Sequence, residues 1–136
     1  MTKPEIAELS MLEENILYTR LLEGAEINLE SSRGLFAISK KLTQGKFYAA
    51  LTDGIASVTI TKEAMEFGAS AEANEFLIAQ AILVHSLANR LLGNFIIKFH
   101  KPKAPTKLFN DREAALAWLR VMLETARHQT TLKNKV

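Results

Sequence analysis

Polar and apolar side chains alternate along two short runs near the start of the chain. The alternation covers residues 6–12 and residues 16–22, and a two-residue period is typical of strands that bury one face. The polar link between the runs ends at Asn15, a residue type that readily adopts the positive φ of a tight turn. The pattern therefore predicts that the chain opens with a β-hairpin.

Four later stretches repeat their apolar residues every three or four positions, as amphipathic helices do. The predicted helices cover residues 29–44, 62–73 and 87–99 and a last segment in which Glu113 completes a capping box. The third helix has apolar residues at positions 88, 91, 92, 95, 96 and 99, which predicts one buried face. Each helix follows a residue that can cap its N-terminus, namely Asn28, Thr61, Ser86 and Asn110.

Three more strands are predicted between these helices. Residues 47–52 and 79–84 are apolar runs typical of buried parallel strands, and residues 106–109 can form only a short edge strand. The order β-β-α-β-α-β-α-β-α predicts an α/β protein, a small two-layer sandwich with a mostly parallel sheet and an N-terminal β-hairpin. We expect one domain over residues 1–127 and a frayed, polar and basic tail over residues 128–136.

Composition narrows the class of protein. The 136 residues are 48% apolar, which suffices for one core but not for two domains. The chain has no cysteine, so disulfides, thiolate nucleophiles and cysteine metal sites are excluded. The first eight residues lack the apolar segment of an export signal, which favours a cytoplasmic protein. Polar residues such as Gln80 and Arg90 interrupt the apolar region 76–99, so we expect no membrane span.

Positive charge is concentrated in the second half of the chain. Residues 76–110 contain no Asp or Glu, and such a segment can face an anionic partner or can simply be the solvated side of partly buried elements. No nucleic-acid-binding motif accompanies the bases, so we expect no nucleic-acid partner. The five basic residues of this segment are Arg90, Lys98, Lys101, Lys103 and Lys107.

The element order resembles that of the STAS-like domains. Two segments add to the resemblance, Lys-Pro-Lys-Ala-Pro-Thr-Lys-Leu-Phe at residues 101–109 and Glu-Ala-Ala-Leu-Ala-Trp-Leu at residues 113–119. In particular, the chain is similar to the SpoIIAA-like bacterial proteins related to anti-sigma-factor antagonists, whose fold is also compared with the lipid-binding CRAL-TRIO domain. The resemblance covers nearly the whole chain and implies this fold, with a regulatory role exercised through protein partners.

The resemblance also suggests where a regulatory site would lie. In these antagonists a turn with two aspartates precedes a helix whose N-terminal serine is phosphorylated by a partner kinase, because a dianion is favoured there. Here Asp53 matches the first aspartate, Thr61 stands in place of the second, and residues 62–63 are Lys-Glu in place of two serines. The regulatory or partner-binding candidates are therefore Asp53, Ser57, Thr59 and Thr61, although a turn serine and an N-cap threonine also have ordinary structural roles.

A catalytic site would draw on Asp53, His85 and Ser86, which lie at the carboxyl ends of predicted strands. Ser86 is predicted to cap a helix, and it cannot readily present its hydroxyl to the adjacent His85. The sequence has no glycine-rich phosphate loop, no nucleophile elbow and no metal-binding histidine spacing. We therefore predict a protein that is not an enzyme and has no metal or cofactor.

Two functional hypotheses remain. The first is an interaction or regulatory module that binds a protein partner or forms a homodimer. The alternative is a small apolar or anionic lipid-like ligand, bound in a cleft between the helices at residues 62–73 and 87–99. Its contacts would be Phe67, Gly68, Leu91 and Phe95, with Arg90 and Lys98 holding a phosphate or carboxylate head. The apolar members of this set can equally be core residues.

Overall fold

A mixed five-stranded sheet organises the chain. The computed structural model describes residues 6–55, 58–100 and 103–134. Within these residues the elements, in chain order, are β1 (Ala7–Glu13), β2 (Ile16–Leu21), β3 (Glu26–Ile27), α1 (Leu29–Leu42), β4 (Tyr48–Asp53), β5 (Thr59–Ile60), α2 (Lys62–Gly68), β6 (Leu77–Leu83), α3 (Leu87–His100), β7 (Thr106–Phe109) and α4 (Arg112–Asn134).

The predicted N-terminal hairpin is confirmed. β1 and β2 pair in antiparallel fashion, and Asn15 lies in the turn between them with a φ of 81°. β2, β4, β6 and β7 then pair in parallel, which gives the strand order β1-β2-β4-β6-β7. The α/β class, the mostly parallel sheet and the four helices are also confirmed.

A second, smaller sheet is the main addition to the predicted order. β3 and β5 pair in parallel as a two-stranded sheet. The N–H of Thr61 extends the pairing by donating to the carbonyl of Ile27 at 2.9 Å. Because β3 directly precedes α1 and β5 directly precedes α2, this sheet ties the N-termini of the two helices together. Strands of two residues are too short to leave a period in the sequence.

Helices cover both faces of the main sheet. Alternate residues of β4 face opposite sides, so Ala49 and Leu51 pack with Leu119 of α4 while Ala50 lies in a separate cluster on the other face. The strand order always advances in one direction, and right-handed crossovers of this kind place their helices on one face. α1, α2 and α3 therefore share a face, and α4 covers the opposite one. The two-layer arrangement expected from the sequence is wrong, since the sheet is the middle of three layers.

The second helix is shorter than predicted. Thr61 caps it as expected, and its hydroxyl oxygen accepts the N–H of Ala64 at 3.2 Å. α2 nevertheless ends at Gly68 rather than at residue 73, because the side-chain amide of Asn74 donates to the carbonyls of Gly68 and Ser70, both at 2.8 Å. The segment after Gly68 thus forms turns instead of a further helical turn.

The last helix begins later and extends further than predicted. The carboxylate of Asp111 accepts the N–H of Ala114 at 3.0 Å, so Asp111 rather than Asn110 caps α4. The helix then continues to Asn134, so the predicted tail is helical from residue 128 as far as that residue, and its fraying stays a prediction. Residues 135–136 of the predicted tail lie outside the described residues.

The apolar residues of α3 do not all face inward. Leu92 and Ile96 pack against the core cluster that contains Ile82, as the predicted stripe requires. Leu91 is 60% exposed and Phe95 is 45% exposed, so the prediction of a wholly buried stripe is wrong. α3 therefore has apolar side chains on both its inner and its outer face.

Candidate functional site

Asp53 and His85 meet at the carboxyl edge of the main sheet. Asp53 ends β4, His85 follows β6, and these strands are parallel neighbours. Nε2 of His85 lies 2.8 Å from Oδ1 of Asp53, a hydrogen-bond distance. The same oxygen accepts the N–H of Gly54 at 2.8 Å, and Oδ2 accepts the hydroxyl of Tyr18 at 3.4 Å. The carboxylate thus joins a loop, a buried strand and an exposed imidazole.

Gly54 permits this arrangement. Its φ of 86° is in the left-handed region, and a Cβ at this position would collide with the carbonyl of Leu21. A glycine is therefore required where the chain leaves β4 and passes so close to the end of β2. The tight turn in turn brings the N–H of Gly54 onto the Asp53 carboxylate.

Tyr18 is the polar member of this cluster that lies closest to the core. Its ring packs against the cluster beneath α4, and the guanidinium carbon of Arg112 lies 5.0 Å from the ring centroid. Burial raises the pKa of Tyr18 above its ordinary value, and the negative charge of Asp53 raises it further. The phenol therefore stays protonated at neutral pH and can donate to Asp53.

The chemistry available at this edge is limited. Ser86 lies next to His85 in the chain, but its hydroxyl oxygen accepts the N–H of Asn89 at 3.2 Å and the side-chain amide of Asn89 at 2.9 Å. The predicted capping role of Ser86 is therefore confirmed. Open α/β sheets usually bind substrates in a crevice where the strand order reverses, and the order of the five strands described here has no such reversal.

The regulatory candidates are spread over several elements. Thr59 is exposed in β5, and Thr61 is the half-buried cap of α2. Asp53 lies at the carboxyl edge described above. Ser57 lies outside the described residues, so its position relative to the other three is not defined. Phosphorylation at any of these residues stays a prediction.

A cleft of about 170 Å³ lies between α2 and α3 over the main sheet. Gly68 and Met65 of α2 form one side, Ile96 of α3 forms another, and Thr52 and Gln80 of the sheet lie beneath. Most of its lining is apolar, and none of the lining residues carries a charge. Space for a small uncharged molecule therefore exists between the two helices.

The predicted ligand contacts are only partly gathered at this cleft. Gly68 lines it, whereas Phe67 packs edge-on against Phe36 of α1, with the ring centroids 5.7 Å apart. Leu91 and Phe95 face outward on α3. Arg90 and Lys98 are likewise exposed on α3 and do not line the cleft.

We call Leu87, Leu91 and Phe95 the outer face of α3. They follow one another at four-residue intervals, so each lies about one helical turn after the last. Leu87 is 72% exposed, the highest fraction among the exposed large apolar residues described. Arg90 follows Leu87 by three residues and Lys98 follows Phe95 by three, so both bases border this surface.

Three residues of these sites were not singled out from the sequence. Tyr18 looked like one more position of an alternating strand, and nothing local indicated its contact with Asp53. Leu87 was absent from the predicted apolar stripe of α3. Gln80 did leave a signal, because it is the one polar residue in the apolar run Leu-Ile-Ala-Gln-Ala-Ile-Leu of β6.

In the part of the chain that the structure describes, no helix combines the length and the hydropathy that a bilayer-crossing segment needs. No group of three or more His, Asp or Glu side chains comes together there in a way that could hold a metal ion.

Comparison with known proteins identifies the fold. The family model described as "Domain of unknown function (DUF7793)" matches residues 10–123. No protein with a curated description matches the sequence. An uncharacterised protein of the DUF3478 family from Shewanella loihica PV-4, with a SpoIIAA-like fold, matches with a TM-score of 0.60 and 15% identity, covering 88% of this chain and 98% of that chain. The SpoIIAA-like fold expected from the resemblance is therefore confirmed, and at this identity the match concerns the fold alone.

Proposed function

The chain belongs to the family described as Domain of unknown function (DUF7793) and has a SpoIIAA-like fold, and from this premise we propose that it is a non-enzymatic module that docks a partner protein. The docking surface is the outer face of α3. The observation that carries the proposal is the exposure of three large apolar side chains on one side of this helix. Contiguous exposed apolar surface of this kind is typical of interaction sites.

Burial of this surface would supply binding energy. Complete burial of a leucine or phenylalanine side chain contributes about 1.5–3 kcal/mol. Leu87 and Leu91 leave most of their surface accessible in the isolated chain, so a partner can still gain most of that energy. Leu92 and Ile96 hold the inner face of the helix on the core, which keeps the outer face in a fixed orientation.

The charge around the surface indicates the kind of partner. Arg90 and Lys98 border the outer face of α3, and the segment 76–110 has no acidic residue. A second copy of the chain presenting the same face would bring like charges together, which is unfavourable at an interface. We therefore expect the partner to present an apolar segment flanked by Asp or Glu, and homodimerisation through α3 is the less favoured arrangement.

The absence of catalysis is part of the same proposal. The imidazole of His85 is held by Asp53, but the nearest hydroxyl in sequence, on Ser86, is engaged as a helix cap. The order of the five described strands has no reversal, which is the feature that usually creates a substrate crevice at such an edge. An oriented histidine without a nucleophile and a pocket supports a structural role for the Asp53 contact.

Site-specific photo-cross-linking in the source cells tests the proposal. A photoreactive phenylalanine derivative is placed at position 91 of the full chain, and the matched control carries it at position 121 on α4, where Val121 is 61% exposed. We expect one discrete adduct from position 91 that position 121 does not give. Mass spectrometry of the adduct is expected to place the cross-link in an apolar segment with neighbouring acidic residues.

A charge-reversal variant sharpens the result. Arg90→Glu combined with Lys98→Glu is expected to reduce the yield of the adduct from position 91 about tenfold, because it sets like charges against the acidic partner. Equal adducts from positions 91 and 121 would contradict the proposal. So would a cross-link to lipid, to a second copy of the chain, or to a segment without acidic residues.

A second candidate function is the binding of a small ligand in the cleft between α2 and α3. The specific observation in its favour is the apolar lining, which includes Ile27, Ile55, Ile60 and Ile82. The volume of about 170 Å³ is below the roughly 300–1,000 Å³ usual for sites of drug-sized ligands, so the ligand would be smaller than a lipid. This function is independent of docking, because the cleft and the outer face of α3 lie on opposite sides of that helix.

A further inference from the structure

The floor of the cleft carries a polar group that an apolar ligand would not need. We propose that the cleft binds a small, neutral ring amide and that the side-chain amide of Gln80 forms hydrogen bonds with the polar edge of this ligand. The proposal rests on the second candidate function. Ring amides of this class include lactams and pyridones, in which one N–H and one C=O are adjacent. The proposal concerns the inner side of α3 and does not depend on partner docking.

The position of Gln80 is unusual for a polar side chain. It lies in the middle of β6, and its neighbours Ala79 and Ala81 are fully buried on the face that α4 covers. Gln80 therefore faces α2 and α3 and forms part of the cleft lining. Gln80 is half-buried, so the part of its side-chain amide that the chain leaves unbonded is accessible from the cleft.

The hydrogen bonds of Gln80 are incomplete within the chain. Its Nε2 donates to Oγ1 of Thr52 at 3.3 Å. A glutamine can donate two hydrogen bonds and accept two, so one N–H and the carbonyl oxygen remain available. Among the residues that the structure describes, neither of these groups has a recorded partner. Both belong to one side-chain amide, which is part of the cleft lining, so the cleft contains one available donor and one available acceptor.

The cleft itself limits the charge and size of the ligand. No Lys, Arg, His, Asp or Glu is among the lining residues, so burial of a charged head there would go uncompensated. The volume of about 170 Å³ is close to that of an apolar cavity of about 150 Å³ that binds benzene in another protein. One six-membered ring therefore fits, and its apolar edge would contact the isoleucine side chains.

The donor and acceptor of Gln80 select the polar edge of such a ring. A glutamine side-chain amide pairs in bidentate fashion with an adjacent donor and acceptor, as it does with the edge of adenine in DNA recognition. A ring amide offers the complementary pair, because its C=O accepts the free N–H of Gln80 and its N–H donates to Oε1. A hydrocarbon ring would leave both groups of Gln80 unpaired.

Solution NMR with defined probes tests the inference. The probes are 2-pyridone, its N-methyl derivative, which lacks the donor, and toluene, which lacks both polar groups. The two pyridones are titrated into ¹⁵N-labelled full-length chain to about 10 mM, above the roughly millimolar Kd expected for a ligand of this size, and toluene is titrated to its solubility in water. We expect 2-pyridone to shift the side-chain NH₂ signals of Gln80 and to bind at least about tenfold more tightly than N-methyl-2-pyridone.

Two variants separate this inference from the broader function. Gln80→Leu should lose at least about tenfold in affinity for 2-pyridone while gaining affinity for toluene. The matched control Gln129→Leu, at an exposed position of α4 outside the cleft, should change both affinities little. Equal binding of all three probes, or undiminished binding of 2-pyridone by Gln80→Leu, would overturn the role of Gln80 but leave ligand binding in the cleft standing. No shift at any cleft residue with any probe would overturn both.

Discussion

Tyr18 connects the core to the carboxyl edge of the sheet through a single side chain. Its ring packs under α4, and its hydroxyl donates to the same carboxylate that contacts His85. The pairing register of β2 and β4 sets Arg20 opposite Asp53, so Tyr18 and Asp53 are on the same face two positions apart. A substitution of Tyr18 would therefore change both the packing and the electrostatics of this region.

The raised pKa of Tyr18 predicts how stability depends on pH. The folded-state pKa lies above that of the unfolded chain, so the contribution of Tyr18 is complete below about pH 10 and is lost as the pH rises through the raised pKa. We expect the free energy of unfolding to fall more steeply with pH in the native chain than in Tyr18→Phe. Urea unfolding between about pH 8 and about pH 11 measures both.

Tyr48→Phe is the comparison for this experiment. Burial also raises the pKa of Tyr48, but that residue lies in a different core cluster and has no contact with Asp53 in the structure. Each variant should therefore remove the part of the fall in the free energy of unfolding at alkaline pH that its own tyrosine causes. If the free energy of unfolding fell equally steeply with pH in the native chain and in Tyr18→Phe, the pH dependence could not be assigned to Tyr18.

Local residue chemistry could be predicted where a side chain acts on its own neighbourhood. The caps Asn28, Thr61 and Ser86 were predicted because each bonds within three residues of itself. Asn110 and Asp111 are both competent caps, and only the path of the chain from β7 into α4 selects Asp111. The contact between Asp53 and Tyr18 spans 35 positions, and no local pattern indicates it.

Among the elements, α1 and α3 each contain a glycine in the helix interior with a different reason to be there. A Cβ at Gly34 of α1 would meet no other atom within 4 Å. A Cβ at Gly93 of α3 would lie 2.7 Å from a methyl carbon of Leu108 in β7. Gly93 therefore lets α3 approach the edge strand, whereas Gly34 only weakens its helix.

This difference predicts opposite responses to one substitution. Gly34→Ala should raise the free energy of unfolding by about 0.5–1 kcal/mol, because alanine loses less backbone entropy in a helix. Gly93→Ala should gain less than this or lose stability, since Leu108 must shift to make room. Chemical denaturation of both variants measures the pair. An equal gain in both would show that α3 does not rest on β7.

The amphipathic period of α3 predicted the helix but not which face is covered. Leucine and phenylalanine count as apolar at positions 91 and 95 exactly as at buried positions, so periodicity alone indicates a wide stripe. The structure divides it, with Leu92 and Ile96 on the core and Leu91 and Phe95 outside. Only the position of the neighbouring elements decides this, and the candidate docking surface was therefore not predictable.

In the whole molecule, the two faces of the main sheet are covered by different numbers of helices. α1, α2 and α3 share the cover of one face of the sheet, whereas α4 alone covers the other. The element order predicted the helices correctly, but α4 follows the last of the described strands instead of connecting two of them, so the crossover rule does not fix its side. This is why a two-layer arrangement was expected and three layers are found.

The dependence on α4 predicts a large cost for a change at its centre. Leu119 is fully buried against the sheet, and Leu119→Ala should lower the free energy of unfolding by about 2–5 kcal/mol. Val121→Ala, on the exposed side of the same helix, should change it by less than about 0.5 kcal/mol. Urea unfolding measures both, and similar losses would contradict the packing of α4 described here.

The strand order has a consequence for the chain during its synthesis. Each strand of the main sheet pairs with the strand made just before it, so the sheet can grow on the ribosome from β1 towards β7 as residues emerge. The face that α4 covers stays open throughout, because that helix is translated after all five strands of the sheet. A nascent chain of this fold therefore exposes one apolar face of the sheet to chaperones until α4 leaves the ribosome. Premature termination before α4 would make that exposure permanent.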